Sequence, residues 1–344
     1  MTTGAATKSG TLTSRWQRVR FWSLRIAVSI VLPLLAAEGI LRMIYREEEA
    51  SANYWGVGAF VADERLGYRH APGFEGYAAR RGDFYVPVTI NAQGLRQKNL
   101  DEQLRHPRRL LLLGASYVFG LGVAEEHGFA ALIHGELNVE GVGVVNASQS
   151  GYCVEQAMIF GLSWAERVAP AAILLTMVPT HDTMVGYRPL YLDRDIVHGC
   201  RLPKDRWWPV PAVDYLRTHS HLWMYFGTKA IRASVARRAA EFRAMALAQP
   251  ELVIQPTLKT LLELHRYCVE RSIAFGVIVV ESEKVPSELD ERYLEVCRTE
   301  GIPVLRCGPP EFTTQDYFAR DSHWNESGHR KAAARVLEFV RGLD

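Results

Sequence analysis

Arg109-Leu110-Leu111-Leu112-Leu113-Gly114-Ala115-Ser116-Tyr117-Val118-Phe119-Gly120 is the stretch on which the reading of this chain turns. Four consecutive leucines leave no polar face, as in a strand of a parallel sheet covered by helices on both sides. The run ends at Gly114-Ala115-Ser116, a small-residue turn that brings a hydroxyl to the carboxyl end of the strand. Open α/β sheets place their ligands at that end. On local sequence alone Ser116 is a nucleophile, a phosphate ligand or a helix N-cap, a position that serine favours.

Working outward, strand and helix patterns alternate to the end of the chain. Strands are expected at 110–113, 142–145, 172–177, 274–280 and 303–306, and helices at 128–137, 154–168, 257–271, 287–300 and 325–343. That alternation predicts a three-layer α/β/α domain with a parallel, flavodoxin-like sheet over 106–344. An insert at about 183–256 breaks the rhythm with Trp207-Trp208, the aromatic run Leu222-Trp223-Met224-Tyr225-Phe226, and Arg232, Arg237 and Arg238. It reads as local core, as a lid or substrate wall, or as a contact with a membrane surface. Residues 46–105 read as an extracytoplasmic extension whose alternating segment 84–90 is confined to a sheet edge by Pro87.

The 344 residues suffice for one large domain with extensions, and a 48% hydrophobic content supports a sizeable core. With 40 basic and 38 acidic residues the net charge is only +2, so no nucleic-acid partner is expected. The N-terminus differs from the rest. A basic tail, 1–20, carries Lys8, Arg15, Arg18 and Arg20, and the apolar segment 21–45 follows, opening with Arg25 nearby. That segment exceeds the ~20 residues a transmembrane helix needs. Glu38 and Arg42 interrupt its far end, where long charged side chains reach an interface. The expectation is an uncleaved signal anchor, with cleavage near Leu35-Ala36-Ala37 or a buried soluble helix as alternatives. Basic residues before the span and Glu47-Glu48-Glu49 after it put the N-terminus in the cytoplasm and the domain outside it. The five cysteines, Cys153, Cys200, Cys268, Cys297 and Cys307, include no C-x-x-C pair and read as buried thiols rather than a metal site.

Near the C-terminus stands Asp321-Ser322-His323-Trp324-Asn325-Glu326-Ser327-Gly328-His329. A serine hydroxyl needs a neighbouring base to take its proton and a third group to orient that base. Ser116 from the first strand and His323 with Asp321 from the last loop would meet at one edge of a parallel sheet. A nucleotide loop is unlike this sequence, which has neither a G-x-G-x-x-G order nor a Gly-Lys-Ser/Thr ending. The stretch is also not the G-x-S-x-G nucleophile elbow. Zinc on Asp321, His323, His329 and His181 is set aside, because His329 falls about one turn into the last helix, where a capping or surface role is commoner.

Gly114-Ala115-Ser116, Gly151, Pro179-Thr180-His181-Asp182 and Asp321-Ser322-His323-Trp324-Asn325 together resemble the four sequence blocks of the SGNH (GDSL-type) hydrolases, over roughly residues 109–344. The resemblance implies that Ser116 is the nucleophile, His323 the base and Asp321 its support. It also implies an oxyanion hole from the backbone N–H groups of Ser116 and Gly151. His181 stands where the family usually has an oxyanion-donating Asn, and Ala115 where it usually has Asp. A histidine there is a substitute donor, a mark of weakened or abandoned hydrolysis, or a substrate ligand; losing one donor typically costs ~10²–10³ in rate. Asn91-Ala92-Gln93-Gly94-Leu95-Arg96 and the N-terminal anchor resemble membrane-anchored bacterial members, implying a single-pass protein of the inner (cytoplasmic) membrane. The implied activity is serine-dependent ester hydrolysis, without cofactor or metal, on an acylated envelope glycan, lipid or secreted small molecule. An O-acyltransferase acting on an envelope polysaccharide and a catalytically silent binding or scaffold module are the other readings.

Overall fold

The structure is a computed structural model and describes residues 10–44, 55–179 without 57 and 81, 181–182, 194–197, 200–203, 215–216, 219–226, 244, 248–281 and 288–343. In chain order its strands are β1 (Phe60–Asp63), β2 (Gly67–His70), β3 (Glu75–Arg80), β4 (Phe84–Thr89), β5 (Arg108–Gly114), β6 (Val142–Ser148), β7 (Ala172–Met177), β8 (Arg194–Val197), β9 (Cys200–Pro203), β10 (Ala274–Val280) and β11 (Val304–Cys307). Its helices are α1 (Gly10–Ile44), α2 (Leu100–Gln103), α3 (Ser116–Phe119), α4 (Phe129–Val139), α5 (Val154–Val168), α6 (Pro250–Glu270), α7 (Glu288–Thr299) and α8 (Glu326–Arg341).

The leucine run lies in β5, an interior strand, next to the terminal β6, of a five-stranded sheet of order β6-β5-β7-β10-β11. Every pairing in it is parallel, with Leu111 opposite both Val145 and Ile173. This is the strand order of flavodoxin-like sheets, as expected. Alternate side chains of a strand face opposite ways, and the leucines divide accordingly. Leu111 and Leu113 share one core with Phe160 of α5, Leu261 of α6 and Tyr293 of α7. Leu110 and Leu112 share a second with Ile133 of α4 and Val336 of α8. The result is three layers. Because β5 is paired on both sides and covered on both faces, its carboxyl end is a rigid platform.

The residues before β5 are integral to the first of these cores. β1–β2 and β3–β4 are antiparallel hairpins, and Trp55, Phe60, Tyr68, Val88 and Leu95 join the same cluster as Leu111. They also close an exposed sheet edge. Strand β6 is terminal in its sheet, and an unpaired edge invites association with another strand. Here Gln103 accepts from Val144 N at 2.9 Å, and Gln97 both donates to Val144 O at 2.6 Å and accepts from Asn146 N at 3.0 Å. Two glutamines stand in for the missing strand. Pro87 lies in β4 and pairs only with Tyr77 of its own two-stranded hairpin, consistent with an edge position.

Two helix boundaries differ from expectation. Helix α6 begins at Pro250, ahead of the 257 expected, and Pro256 lies inside it. Burial explains the extension: Ile254, Leu258 and Leu261 form one continuous apolar face. Helix α1 likewise starts before residue 21. Its stretch Trp16–Ile44, in which an 18-residue window reaches a mean hydropathy of 2.0 with none of that window buried, is long and apolar enough to cross a membrane. Near its end Glu38 accepts from Ser220 Oγ at 2.8 Å, His221 N at 2.9 Å and Leu222 N at 2.8 Å, capping the short helix 221–226. Of the aromatic run there, Met224 is buried and Phe226 exposed. Trp207-Trp208, Arg232, Arg237, Arg238, Glu47-Glu48-Glu49 and Thr180 lie outside the described residues. Cys153, Cys268, Cys297 and Cys307 are buried free thiols, and burial pushes Cys153, Cys268 and Cys307 up to about 12.

Candidate active site

The turn after β5 is built for close approach. Gly114 has φ +153°, and a Cβ there would stand 2.7 Å from Val118 Cγ2 and 3.2 Å from Thr176 Cβ. Only glycine fits both that conformation and that space. Ser116 then opens α3, whose end is fixed by Gly120 at φ +78°. The loop beyond is held by Arg96, whose buried guanidinium donates to Phe119 O at 3.0 Å, Gly120 O at 2.6 Å and Val123 O at 2.8 Å. Burial pulls Arg96 down to about 10, so it stays charged at neutral pH.

The last loop closes on itself before presenting its residues. Tyr317 and Trp324 form an antiparallel bridge, with Phe318 N donating to His323 O at 3.0 Å and Asn325 N to Asp316 O at 3.0 Å. Asn325 then caps α8, accepting from Ser327 N at 2.9 Å and Gly328 N at 3.3 Å. Trp324 is fully buried between Phe312 and Tyr117. A residue flanked by a bridge, a buried indole and a helix cap has little freedom. That residue is His323.

The structure brings Ser116, His323 and Asp321 together. His323 Nε2 lies 2.6 Å from Ser116 Oγ, and His323 Nδ1 is in hydrogen-bond contact with Asp321 Oδ1, which also accepts from His323 N at 2.9 Å. With Nδ1–H directed at the carboxylate, Nε2 carries the lone pair that faces the serine hydroxyl. Asp321 is nearly inaccessible to solvent, whereas the His323 ring is partly open. Tyr117, next to Ser116, donates its hydroxyl to Ser322 O at 2.5 Å and lays its ring 5.0 Å from that of His323. Burial pushes the Tyr117 hydroxyl up, so it remains a protonated donor.

The other two residues singled out in the sequence follow the two strands that flank β5. Gly151 follows β6 with φ +79°, in a turn pinned by Tyr68 OH to Ser150 O at 3.1 Å and Ser150 N to His70 Nε2 at 3.3 Å. His181 follows β7, with Nδ1 3.5 Å from Asp182 Oδ1 and a third of its side chain exposed. Burial raises the Asp182 carboxyl, opposed by His181 and by the Val178 N–H, which donates to it at 2.6 Å. His329 corrects an expectation. Instead of capping or lying at the surface it is buried, accepting from Phe129 N at 3.2 Å, and burial pulls it down to about 3, helped by the charges of Arg96 and His323.

Sequence reasoning missed Arg80. Its Nη1 lies 3.2 Å from Asp321 Oδ2 and its Nε 3.5 Å from Asp83 Oδ2, while Nη2 donates to Arg320 O at 2.8 Å. Nothing in the local sequence signals this pairing, since 240 positions separate Arg80 from Arg320.

No protein-family profile matches the chain, and no curated protein does. Solved structures do. The neighbours include esterases. The esterase EstA of Pseudoalteromonas sp. is similar at 12% identity and a TM-score of 0.41, over 68% of this chain and 97% of that one. A GDSL-like lipase of Bacteroides thetaiotaomicron matches at 11% and 0.36, over 71% and 97%. An acetyl xylan esterase matches at 13% and 0.39, over 67% and 99%. Values this low transfer neither activity nor residue roles, which rest here on the geometry of the chain's own side chains.

Proposed function

We propose that this protein is a serine ester hydrolase, held at a membrane by α1, with Ser116 as nucleophile, His323 as general base and Asp321 as its support. The observation that carries the reading is the 2.6 Å approach of His323 Nε2 to Ser116 Oγ, with the Asp321 carboxylate on the opposite ring nitrogen. A serine hydroxyl is protonated at neutral pH and gains nucleophilicity only as a base removes its proton. In this reading the Oγ–H proton passes to Nε2 as Oγ bonds to the ester carbonyl carbon. Asp321 stabilises the resulting imidazolium. The carbonyl oxygen takes the negative charge and is met by the N–H groups of Ser116 and Gly151, with His181 as third donor. Collapse expels the alcohol, which takes the proton from Nε2. Water then attacks the acyl-serine with His323 again as base, returning the free hydroxyl and a carboxylic acid.

The substrate class fitting this chemistry and a membrane-held domain is an acylated glycan, lipid or small molecule outside the cytoplasm. The basic flank Arg15, Arg18 and Arg20 favours a cytoplasmic N-terminus for α1. The test is a fluorophosphonate probe, followed by mapping of the modified residue and by turnover of short-chain aryl esters. Labelling at Ser116, with both labelling and turnover abolished in Ser116→Ala and His323→Ala of unchanged fold, is expected. Wild-type turnover in Ser116→Ala would end the proposal. Inhibition by a chelator would point instead to metal chemistry.

A further inference from the structure

Arg80 lies on β3, outside the α/β sheet, yet it reaches the innermost carboxylate of the proposed triad. Asp321 spends Oδ1 on the His323 ring and main chain, and its Oδ2 faces Arg80 Nη1 at 3.2 Å. Asp83, on the turn into β4, lies 3.5 Å from Arg80 Nε, and its Oδ1 accepts from Arg320 N at 3.0 Å. The two carboxylate side chains are 1% and 2% exposed, the guanidinium 31%. One cation therefore serves two desolvated anions, and one of those anions supports His323. Phe84 against Phe318, ring centroids 4.9 Å apart, fastens the hairpin onto the same loop.

We propose that Arg80 is a positioning residue that sets the basicity of His323 through Asp321. The inference rests on the reading of Ser116, His323 and Asp321 as the reacting centre. A carboxylate beside a histidine favours its imidazolium form. Sharing Asp321 with a guanidinium weakens that pull while keeping the ring oriented.

Among the described residues, the charged and titratable groups around His323 give the sign. Asp321 and Arg320 come from its own loop, Arg80 and Asp83 from the hairpin, Tyr117 from α3, Tyr317 from the bridge, and His329 from α8. His329 is neutral above about pH 3 and Tyr117 stays protonated, so neither changes charge between pH 5 and 9. Removing the Arg80 charge raises the pH at which His323 loses its proton. Removing the Asp83 charge takes away an anion beside Arg80 and lowers it.

The experiment measures the rate of fluorophosphonate labelling of the full-length protein from pH 5 to 9, a readout that needs no natural substrate. In Arg80→Gln the acid limb should move up by about half to one unit, in Asp83→Asn it should move down, and Arg80→Lys should keep it near the wild-type position. A purely structural role for Arg80 predicts slower labelling in Gln and Lys alike with an unmoved limb, and that result overturns the proposal. If Arg80→Gln melts below the assay temperature, Asp83→Asn still decides the sign. A wild-type protein that fails to label strikes down the triad reading itself; a labelled wild type with unshifted variants strikes down only the role of Arg80.

Discussion

The hydroxyl of Tyr117 donates to the carbonyl of Ser322 at 2.5 Å, so the residue after the serine grips the residue before the histidine. Two loops 205 positions apart in sequence are latched beside the place where their side chains meet. Productive geometry in such sites tolerates only small displacements. The latch therefore predicts a specific defect. Tyr117→Phe keeps the ring against Trp324 and His323 but loses the bond. We expect kcat on aryl esters to fall about tenfold, with KM little changed and stability lower by ~1 kcal/mol. Steady-state kinetics beside a denaturant melt check this. An unchanged kcat would make the bond merely structural.

His181 gives the second prediction. It lies after β7, the strand beside that of Ser116, with Asp182 on its Nδ1 side. As an oxyanion donor it would be replaceable by the amide of Asn, which also carries N–H. His181→Asn should keep turnover within an order of magnitude, and His181→Ala should lower it by roughly 10². A raised KM with intact kcat in both variants would assign it to substrate binding instead. Faster hydrolysis in Asn than in the wild type would mark a repurposed position.

A third prediction concerns stability and pH. His329 is buried as a neutral acceptor for Phe129 N and titrates near 3 in the folded protein, against about 6.5 when unfolded. Its folded value is depressed, so its contribution is fully present above pH 6.5 and is lost as pH falls toward 3. Over that window the unfolded chain binds one more proton than the folded one, a slope of about 1.4 kcal/mol per pH unit. His329→Gln, which retains an acceptor without a titrating ring, should flatten the curve. Urea midpoints measured from pH 4 to 8 test it, and equal slopes in both proteins would remove His329 as the source.

The fourth concerns orientation. With Arg15, Arg18 and Arg20 before the apolar stretch, a reporter fused after Asp344 should be active only outside the cytoplasm. Activity confined to the cytoplasm would reverse the proposed topology. A mature N-terminus near Ala37 would show that α1 is removed.

Much of the fold was legible because its signals are local. Leu110–Leu113 announced a strand buried on both faces, and the alternation of patterns gave the parallel sheet. Helix α6 was cut short because Pro256 reads locally as a boundary, whereas the burial of Ile254 is a tertiary effect that overrides it. At the candidate site, the meeting of Ser116 with His323 and Asp321 was readable from residue type and spacing. Arg80 and Tyr117 were not, since an arginine in a hairpin and a tyrosine in a short helix carry no mark of what they meet. Gln97 and Gln103 were equally silent. A glutamine that satisfies a sheet edge looks in sequence like any surface amide.

The 207 positions between Ser116 and His323 also have a meaning in time. A ribosome adds about 5–20 residues per second, so some 10–40 seconds pass between making the serine and making its base. Through that interval, on the proposed mechanism, the hydroxyl has no imidazole to take its proton. Reactivity arrives only with the last few dozen residues, when the loop ending at Trp324 folds down. On the same mechanism, a chain broken off anywhere before Asp321 would carry an unactivated alcohol, so incomplete synthesis would release no nucleophile.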